Sequence, residues 1–322
     1  SESLKSSLVR MILIRKVEQH IAKSRKNGLI RGPVHLGVGQ EAIAVGVSRY
    51  LNSNDRVFGA HRSHAHLLAL NPDFYRLFAE VLGKKTGFSK GMGGSMHLWD
   101  EPSGFCGSVP IVSGTVPIAV GAAMAAKFQN IDNIAVVYLG DGAIEEGVVH
   151  ESLNLARIQN APIMFVVENN LFASHMHISL RQSSNKTSRF AIANHIPYKL
   201  VDGNNIIAVT EASKEFINDS RKGLGPCFLE LVTYRWYGHV DWRDDIDVGV
   251  ERSVDDVENW KSRDPINRLL SSMIDSGIWT KSEQESIENK LDKDIEIAWE
   301  KAMNDPYPNV SLITKNTYST NK

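Results

Sequence analysis

Apolar side chains recur along this chain at spacings that predict long helices near both ends and buried strands between them. Residues 3–27 are rich in charge but repeat apolar side chains at helical spacing, which predicts an amphipathic helix. Residues 40–51 predict a second helix. Residues 264–303 return to a helical pattern, in which Asp264-Pro265 is typical of a cap followed by a first-turn proline. The apolar positions of the first helix are Leu4, Leu8, Met11, Ile14, Val17 and Ile21.

The centre of the chain contains a strand–helix–strand unit. The continuous apolar run Ile134–Leu139 predicts a buried parallel strand that ends at the turn Gly140-Asp141-Gly142. Residues from about Gly147 to Ile158 predict a helix, and Ile163–Val167 predicts the next strand, which leads into Asn169-Asn170. This crossover predicts an α/β fold with a mostly parallel sheet flanked by helices, and a ligand crevice at the carboxyl ends of the strands.

Two of the side chains at these strand ends suit a magnesium ion. Asp141 offers a carboxylate and Asn170 an amide oxygen, and Mg²⁺ prefers such ligands while leaving positions for phosphate oxygens. The glycines of the turn let backbone N–H groups approach phosphate, and the following helix start adds a favourable dipole. A single Gly-Asp-Gly turn is usually no more than a turn. Its pairing with the asparagines predicts a magnesium site built for a diphosphate.

Length and composition predict one large domain. With 322 residues and 42% hydrophobic content, the chain can bury a substantial core, and we expect a single α/β domain over 1–322. Within it, an N-terminal helical segment covers about 3–51. A C-terminal helical region and tail cover about 264–322, of which 304–322 is expected to be an extended arm.

The same composition argues against several classes of partner. A formal net charge of −1 without a basic track argues against nucleic acid. Cys106 and Cys227 are too few for a disulfide framework, which favours a cytoplasmic protein. No apolar stretch reaches the roughly 18 residues that a membrane span needs, and Ser1–Lys5 lacks a signal-peptide core, so we expect no membrane association.

The paired Gly-Asp-Gly and Asn-Asn motifs resemble the thiamine-diphosphate fingerprint. More closely, the chain resembles the alpha subunit of the heteromeric, thiamine-dependent 2-oxo acid dehydrogenases, the group that includes the pyruvate, branched-chain and acetoin dehydrogenases. Six motifs match in order and span most of the chain. They are His35-Leu36-Gly37-Val38-Gly39-Gln40-Glu41-Ala42, Gly59-Ala60-His61-Arg62-Ser63-His64, Lys90-Gly91-Met92-Gly93-Gly94-Ser95-Met96-His97, Pro110-Ile111-Val112 with Val116-Pro117, Gly140-Asp141-Gly142 with Asn169-Asn170, and Thr233-Tyr234-Arg235-Trp236-Tyr237-Gly238-His239.

The resemblance implies thiamine diphosphate and Mg²⁺ as cofactors, and it assigns residues to them. His64 and His239 are the expected catalytic residues, because imidazoles with near-neutral pKa values can transfer protons at physiological pH. Arginine suits a diphosphate, although an isolated arginine is more often a surface ion pair. The metal ligands would be Asp141, Asn170 and the backbone carbonyl of Phe172. The cofactor-binding residues would be His61, Arg62, Pro110, Val112, Asp141, Gly142, Ala143, Asn170, Arg235 and His239.

The histidines leave alternatives open. At position 61 relatives often have tyrosine, so His61 either donates to phosphate or is structural. His61, His64 and His66, extended by His175 and His177, could also be a metal-ligand set, but the spacing typical of structural zinc is missing, which disfavours zinc. We expect His66, His97 and His150 to be packed or capping residues.

The resemblance also implies a second polypeptide. In this family the glutamate that activates the cofactor belongs to a beta subunit, and we interpret Glu41 and Glu168, which lie within motifs, as structural. We therefore expect an assembly of two alpha and two beta chains. It would be either a 2-oxo acid dehydrogenase, which decarboxylates a small 2-oxo acid and passes the acyl group to a lipoyl acyltransferase, or an acetoin dehydrogenase. Two other functions stay open: a related decarboxylase or carboligase subunit that uses no lipoyl acyltransferase, and a non-catalytic partner scaffold.

The chain departs from the family in two places near the site. After Gly238-His239 many relatives carry a serine that is phosphorylated in some members, but here Val240 replaces it, followed by an acidic stretch over 241–247 that we expect to be a mobile loop. His175 and His177 stand where small polar residues are usual. They either face a substrate different from pyruvate or are solvent-exposed loop histidines.

Overall fold

The computed structural model describes residues 2–243 and 252–312. The helices within these ranges are α1 (Glu2–Lys26), α2 (Glu41–Ser48), α3 (His64–Leu70), α4 (Phe74–Val81), α5 (Thr115–Phe128), α6 (Gly147–Ile158), α7 (Arg189–Ala193), α8 (Ile206–Arg221), α9 (Val254–Lys261), α10 (Pro265–Asp275) and α11 (Lys281–Asn304). The strands are β1 (Arg56–Gly59), β2 (Phe105–Ser108), β3 (Ala135–Gly140), β4 (Ile163–Asn169), β5 (Phe172–Ala173), β6 (Met176–His177), β7 (Tyr198–Asp202) and β8 (Cys227–Val232).

Six of the strands form one parallel sheet, which confirms the predicted fold class. The strand order is β2-β1-β3-β4-β8-β7, and every neighbouring pair is parallel. The predicted crossover is β3, α6 and β4, and its two strands pair from Ala135 with Ile163 to Gly140 with Glu168. The remaining strands, β5 and β6, form a short antiparallel hairpin directly after β4.

Side chains of the central strands alternate between two hydrophobic clusters, one on each face of the sheet. Val136 and Tyr138 pack with the cluster that includes residues of α1, α2, α8 and α11. Val137 and Leu139 pack with the cluster that includes α5 and α6. Burial on both faces is the reason that β3 reads as an unbroken apolar run rather than an alternating one.

The helices predicted at the two ends are present. In α1, the five predicted apolar positions from Leu8 to Ile21 are fully buried, and Leu4 is partly buried against the same cluster. Helix α10 begins at Pro265, with the Asp264 carboxylate accepting from the Ile266 N–H at 3.2 Å. The predicted second helix is shorter than 40–51 because it ends at Ser48. The division into a single domain stays a prediction.

Two predicted segments lie partly or wholly outside the described residues. The acidic loop predicted for 241–247 is described only to position 243, and the predicted arm over 304–322 only to 312. Asp241 is buried, and it accepts hydrogen bonds from Arg25 Nε at 3.0 Å and from the Val34 N–H at 3.2 Å. The start of that segment is therefore tied to α1. Across 2–243 and 252–312, none of the helices is long and apolar enough to cross a membrane.

Candidate functional site

A cavity of about 450 Å³ lies at the carboxyl edge of the sheet, where β1, β3 and β4 end. A larger groove, of about 810 Å³, lies between α1 and α11, but it contains none of the motif residues. Most of the predicted site residues line the smaller cavity, and the exceptions are His64 and Arg235. Those that line it are His61, Arg62, Pro110, Val112, Asp141, Gly142, Ala143, Asn170, Phe172 and His239.

Asp141 begins the turn after β3 and is only 1% exposed. Burial raises the pKa of its carboxyl, and the adjacent Arg181 guanidinium offsets part of that rise. Arg181 forms an ion pair with Asp141 Oδ2 and another with Glu145. No sequence pattern singles out Arg181, because it lies in no motif and reaches Asp141 only through the folding of the loop after β6.

Asn170 lies directly after β4 and meets a residue of the first motif. Its Nδ2 donates to Gln40 Oε1 at 3.1 Å, and its Oδ1 accepts from the Phe172 N–H at 3.3 Å. Asn170 and Phe172 are both buried and both line the cavity. A carboxylate, an amide oxygen and a backbone carbonyl are hard oxygen donors of the kind that Mg²⁺ binds, so this donor set fits the predicted ion.

The glycine of the turn is required by close packing. A Cβ at Gly142 would lie 2.4 Å from the Cβ of Ala173 on the β5–β6 hairpin. The next residue, Ala143, begins a 3-10 turn, and its carbonyl accepts from Ser113 Oγ at 2.7 Å. The turn that begins at Asp141, called the metal turn below, therefore lies in direct contact with the β5–β6 hairpin on one side of the cavity.

Three histidines that line the cavity meet one another. One ring nitrogen from each of His35, His61 and His239 lies within 4.8 Å of the corresponding nitrogen of the other two, and the ring centroids are 4.6 to 5.4 Å apart. His35 was expected only as part of the first motif, not as a site residue. His64 and His66 do not belong to this group, so the structure does not assemble the histidine set that the sequence left open.

Burial and positive charge keep these imidazoles neutral. Burial, followed by the charge of Arg62, lowers the pKa of His35 to about 2 and those of His61 and His239 to about 3. Arg235 contributes to the same lowering at all three. Such a positive field disfavours a cation among the three rings and favours an anion, to which neutral imidazole N–H groups can donate.

Both arginines are anchored by backbone carbonyls. Arg62 donates from Nη1 to the Leu36 carbonyl at 2.8 Å and from Nη2 to the His239 carbonyl at 3.1 Å. Arg235 donates to the Ser174 carbonyl at 3.0 Å, which ties it to the β5–β6 hairpin. Both side chains are buried, and a buried guanidinium is stabilised by an anionic partner.

His64 lies outside the cavity, with each of its ring nitrogens close to a buried polar side chain. Its Nε2 is 2.8 Å from Ser95 Oγ, and its Nδ1 is 3.2 Å from Glu18 Oε1. The side chain is fully buried, so its expected catalytic role stays a prediction. His66, expected to be packed, stacks on Tyr138 with 3.7 Å between the ring centroids.

The two histidines after the asparagines lie near the cavity mouth. His175 is exposed, and its ring centroid is 6.2 Å from that of His239. The Nδ1 of His177 is 2.8 Å from the hydroxyl of Ser179. Each histidine thus lies beside a residue that lines the cavity: His175 beside His239, and His177 beside Phe172, with 5.1 Å between the latter two ring centroids.

The fold and the site together define an α/β protein whose ligand site lies at the carboxyl edge of a parallel sheet and carries groups suited to a phosphate and a hard cation. Residues 9–311 match the family model described as dehydrogenase E1 component, and the chain belongs to this family.

Several named relatives cover nearly the whole chain. The chain is 35% identical to the alpha subunit of acetoin:2,6-dichlorophenolindophenol oxidoreductase from Bacillus subtilis (strain 168), over 96% of this chain and 91% of the relative. It is also 35% identical to the alpha subunit of the pyruvate dehydrogenase E1 component from Rhizobium meliloti (strain 1021), over 94% of this chain and 86% of the relative.

Proposed function

We propose that this chain is the alpha subunit of a thiamine-diphosphate- and Mg²⁺-dependent dehydrogenase that acts on a 2-oxo acid or on acetoin. Family membership implies the use of thiamine diphosphate. The observation that carries the proposal is one cavity lined by two unlike sets of groups. Asp141 and Asn170 supply hard oxygens, and Arg62 with neutral His61 and His239 supplies donors.

The residues of this cavity fit a diphosphate bridged by Mg²⁺. Asp141, Asn170 and the Phe172 carbonyl would hold the ion, and Arg62 and Arg235 would balance the remaining negative charge. Neutral imidazoles at His61 and His239 would each offer an N–H donor to phosphate oxygens without adding a charge. Pro110, Val112, Gly142 and Ala143 would contact the cofactor through main-chain atoms or by packing.

Bound thiamine diphosphate supplies the carbanion stabilisation that protein side chains lack. The chain's own part is to bind the diphosphate, shape the cavity and place proton carriers beside it. His239 lines the cavity, and its lowered pKa, about 3, keeps the imidazole neutral near neutral pH, so that it can offer an N–H donor beside the bound cofactor. His64 would act through its bond to Ser95 rather than from the cavity wall.

A separate beta subunit completes the proposed site. The two motif glutamates that could replace its activating carboxylate are already engaged. Glu41 is fully buried and accepts from Arg15 Nη2 at 2.8 Å, and Glu168 lies 3.1 Å from His66 Nε2. The relatives above are named as alpha subunits. We therefore propose an assembly of two alpha and two beta chains, located in the cytoplasm.

The identity of the acyl acceptor distinguishes the two enzymatic functions that the proposal leaves open. In the preferred form of the proposal, the acyl group passes to a lipoyl acyltransferase. A lipoyl-independent decarboxylase or carboligase subunit is the alternative that the altered segment around Val240 favours.

Reconstitution with the beta subunit tests this choice. Pyruvate, a branched-chain 2-oxo acid and acetoin would each be offered, with a lipoylated domain or 2,6-dichlorophenolindophenol as the electron acceptor. Reduction of the lipoylated domain is the expected result. Substrate turnover with reduction of neither acceptor would favour the alternative, and absence of any turnover would support a scaffold.

A further inference from the structure

One arginine joins the two segments that carry the proposed metal ligands. Arg181 follows a 3-10 turn, Ile178–Leu180, that continues from β6. Its guanidinium pairs with Asp141 Oδ2 and with Glu145, while its Nε donates to the Met176 carbonyl at 3.2 Å. Met176 lies in β6, which pairs with the strand that holds Phe172. One side chain therefore contacts both the metal turn and the hairpin.

We propose that Arg181 is a positioning residue for the metal ligands. It fixes the carboxylate of Asp141 relative to the β5–β6 hairpin, which carries Phe172, so that these proposed ligands would be held ready for one ion. This inference deepens the proposed function and rests on it. It goes beyond the family motifs, because Arg181 belongs to none of the six segments in which the family resemblance lies.

The geometry favours positioning over competition with the metal. Asp141 lines the cavity but Arg181 is not among the lining residues, so the guanidinium reaches the carboxylate from outside the cavity. It binds Oδ2. Because Oδ2 is occupied by Arg181, Asp141 would hold the ion through its other carboxylate oxygen, Oδ1.

The neighbouring Gln182 strengthens the same attachment. Its Nε2 donates to the Asp141 carbonyl at 2.9 Å and to Glu145 Oε1 at 2.6 Å. The turn is thus held at its side chain by Arg181, at its backbone by Gln182, and at Glu145 by both. Partners that hydrogen-bond to metal ligands typically account for a 10–100-fold difference in metal affinity.

The ion pair with Asp141 differs from an ordinary surface pair. Asp141 is 1% exposed and the Arg181 side chain is 9% exposed, so neither charge is well solvated. Leaving the Asp141 carboxylate buried without a charged partner would be energetically costly, and for this reason the ion pair with Arg181 is stable. Lysine at this position would supply the charge but not the planar fork that reaches two carboxylates at once.

Titration of cofactor binding against Mg²⁺ tests the proposal. The chain would be co-expressed with its beta subunit, and thiamine diphosphate binding measured by calorimetry at stepped Mg²⁺ concentrations. For Arg181→Met we expect the Mg²⁺ concentration at half-saturation to rise about 10–100-fold. Arg181→Lys should give a smaller rise in the same Mg²⁺ concentration. If the methionine variant fails to fold, the lysine variant tests the proposal in its place.

The chain offers a matched control at the opposite edge of the sheet. Arg221 binds both oxygens of the buried Asp55 carboxylate, which lies just before β1. Arg221→Met should lower the melting temperature and leave the Mg²⁺ requirement unchanged. An unchanged or lowered Mg²⁺ requirement in a folded Arg181 variant would overturn the positioning role. Failure of the unsubstituted complex to bind the cofactor at any Mg²⁺ concentration would instead overturn the proposed function, and the inference with it.

Discussion

Asp141 and Asn170 line the same cavity because the strands that precede them, β3 and β4, are paired in parallel with Gly140 opposite Glu168. Each residue follows the last paired position of its strand by one or two residues, so both side chains emerge at the same edge. The sheet register, rather than any local turn, therefore brings the proposed metal ligands together.

Replacing the carboxylate tests this relationship first. Asp141→Asn keeps the shape of the side chain but removes its charge. Mg²⁺-dependent binding of thiamine diphosphate should therefore weaken by more than about 100-fold, which exceeds the loss expected for a residue that only hydrogen-bonds to a metal ligand. Calorimetry on the complex with the beta subunit measures this change. Circular dichroism provides the control for folding. Retention of Mg²⁺-dependent affinity within about threefold would remove Asp141 from the proposed metal site.

The close approach of the metal turn to the hairpin predicts a steric effect. Gly142→Ala places a methyl group 2.4 Å from Ala173 Cβ and should destabilise the fold by about 1–3 kcal/mol. Gly147→Ala is the control, because a Cβ there would meet nothing within 4 Å. The control should leave stability unchanged or raise it by up to about 1 kcal/mol. Urea unfolding measures both, and equal stabilities of the two variants would speak against the packing described for Gly142.

The three neutral histidines predict how stability depends on pH in the cofactor-free chain. Their pKa values, about 2 for His35 and about 3 for His61 and His239, lie below the unfolded value of about 6.5. Their stabilising contribution is therefore present above about pH 6.5 and is lost as the pH falls toward 3, because the unfolded state takes up protons first.

A single substitution at His61 tests how much one of these three histidines contributes to the pH dependence of stability. His61→Tyr introduces the residue that relatives often carry, and it should flatten the loss of stability between about pH 6 and pH 4 by at most about 1.4 kcal/mol per pH unit. Denaturant unfolding at several pH values measures the slope. A slope identical to that of the original chain would mean that His61 is protonated in the folded state.

The expected catalytic role of His64 predicts an effect on turnover. If His64 transfers or stabilises a proton, His64→Gln should lower kcat of the complex by about 10²–10⁴-fold while the Mg²⁺ requirement stays the same. Ser95→Ala removes only the partner of Nε2 and should give a smaller loss. Full turnover of a folded His64→Gln complex would assign this histidine a purely structural role.

The order of elements could be predicted from the sequence because it depends on local periodicity. The apolar run of β3, the amphipathic pattern of α1 and the cap at Asp264 each carry their own signal. The meeting of Asp141 and Asn170 followed from these elements, since a parallel crossover has a fixed geometry.

The parts that could not be predicted depend on contacts between distant segments. His35 joins His61 and His239 only once the loop before α2 folds over the strand ends. Arg181 reaches Asp141 from a loop whose sequence has no apolar period. The motif containing His64 could be recognised, but the position of its fully buried side chain against Glu18 of α1, far away in sequence, could not be predicted.

The most direct test compares the chain alone with the chain mixed with its beta subunit. Calorimetry would measure binding of thiamine diphosphate with Mg²⁺, and decarboxylation of a 2-oxo acid would be followed in the same samples. We predict tight, Mg²⁺-dependent binding and turnover only in the mixture. Full decarboxylation by the isolated chain would contradict the proposal that it holds half of a shared site.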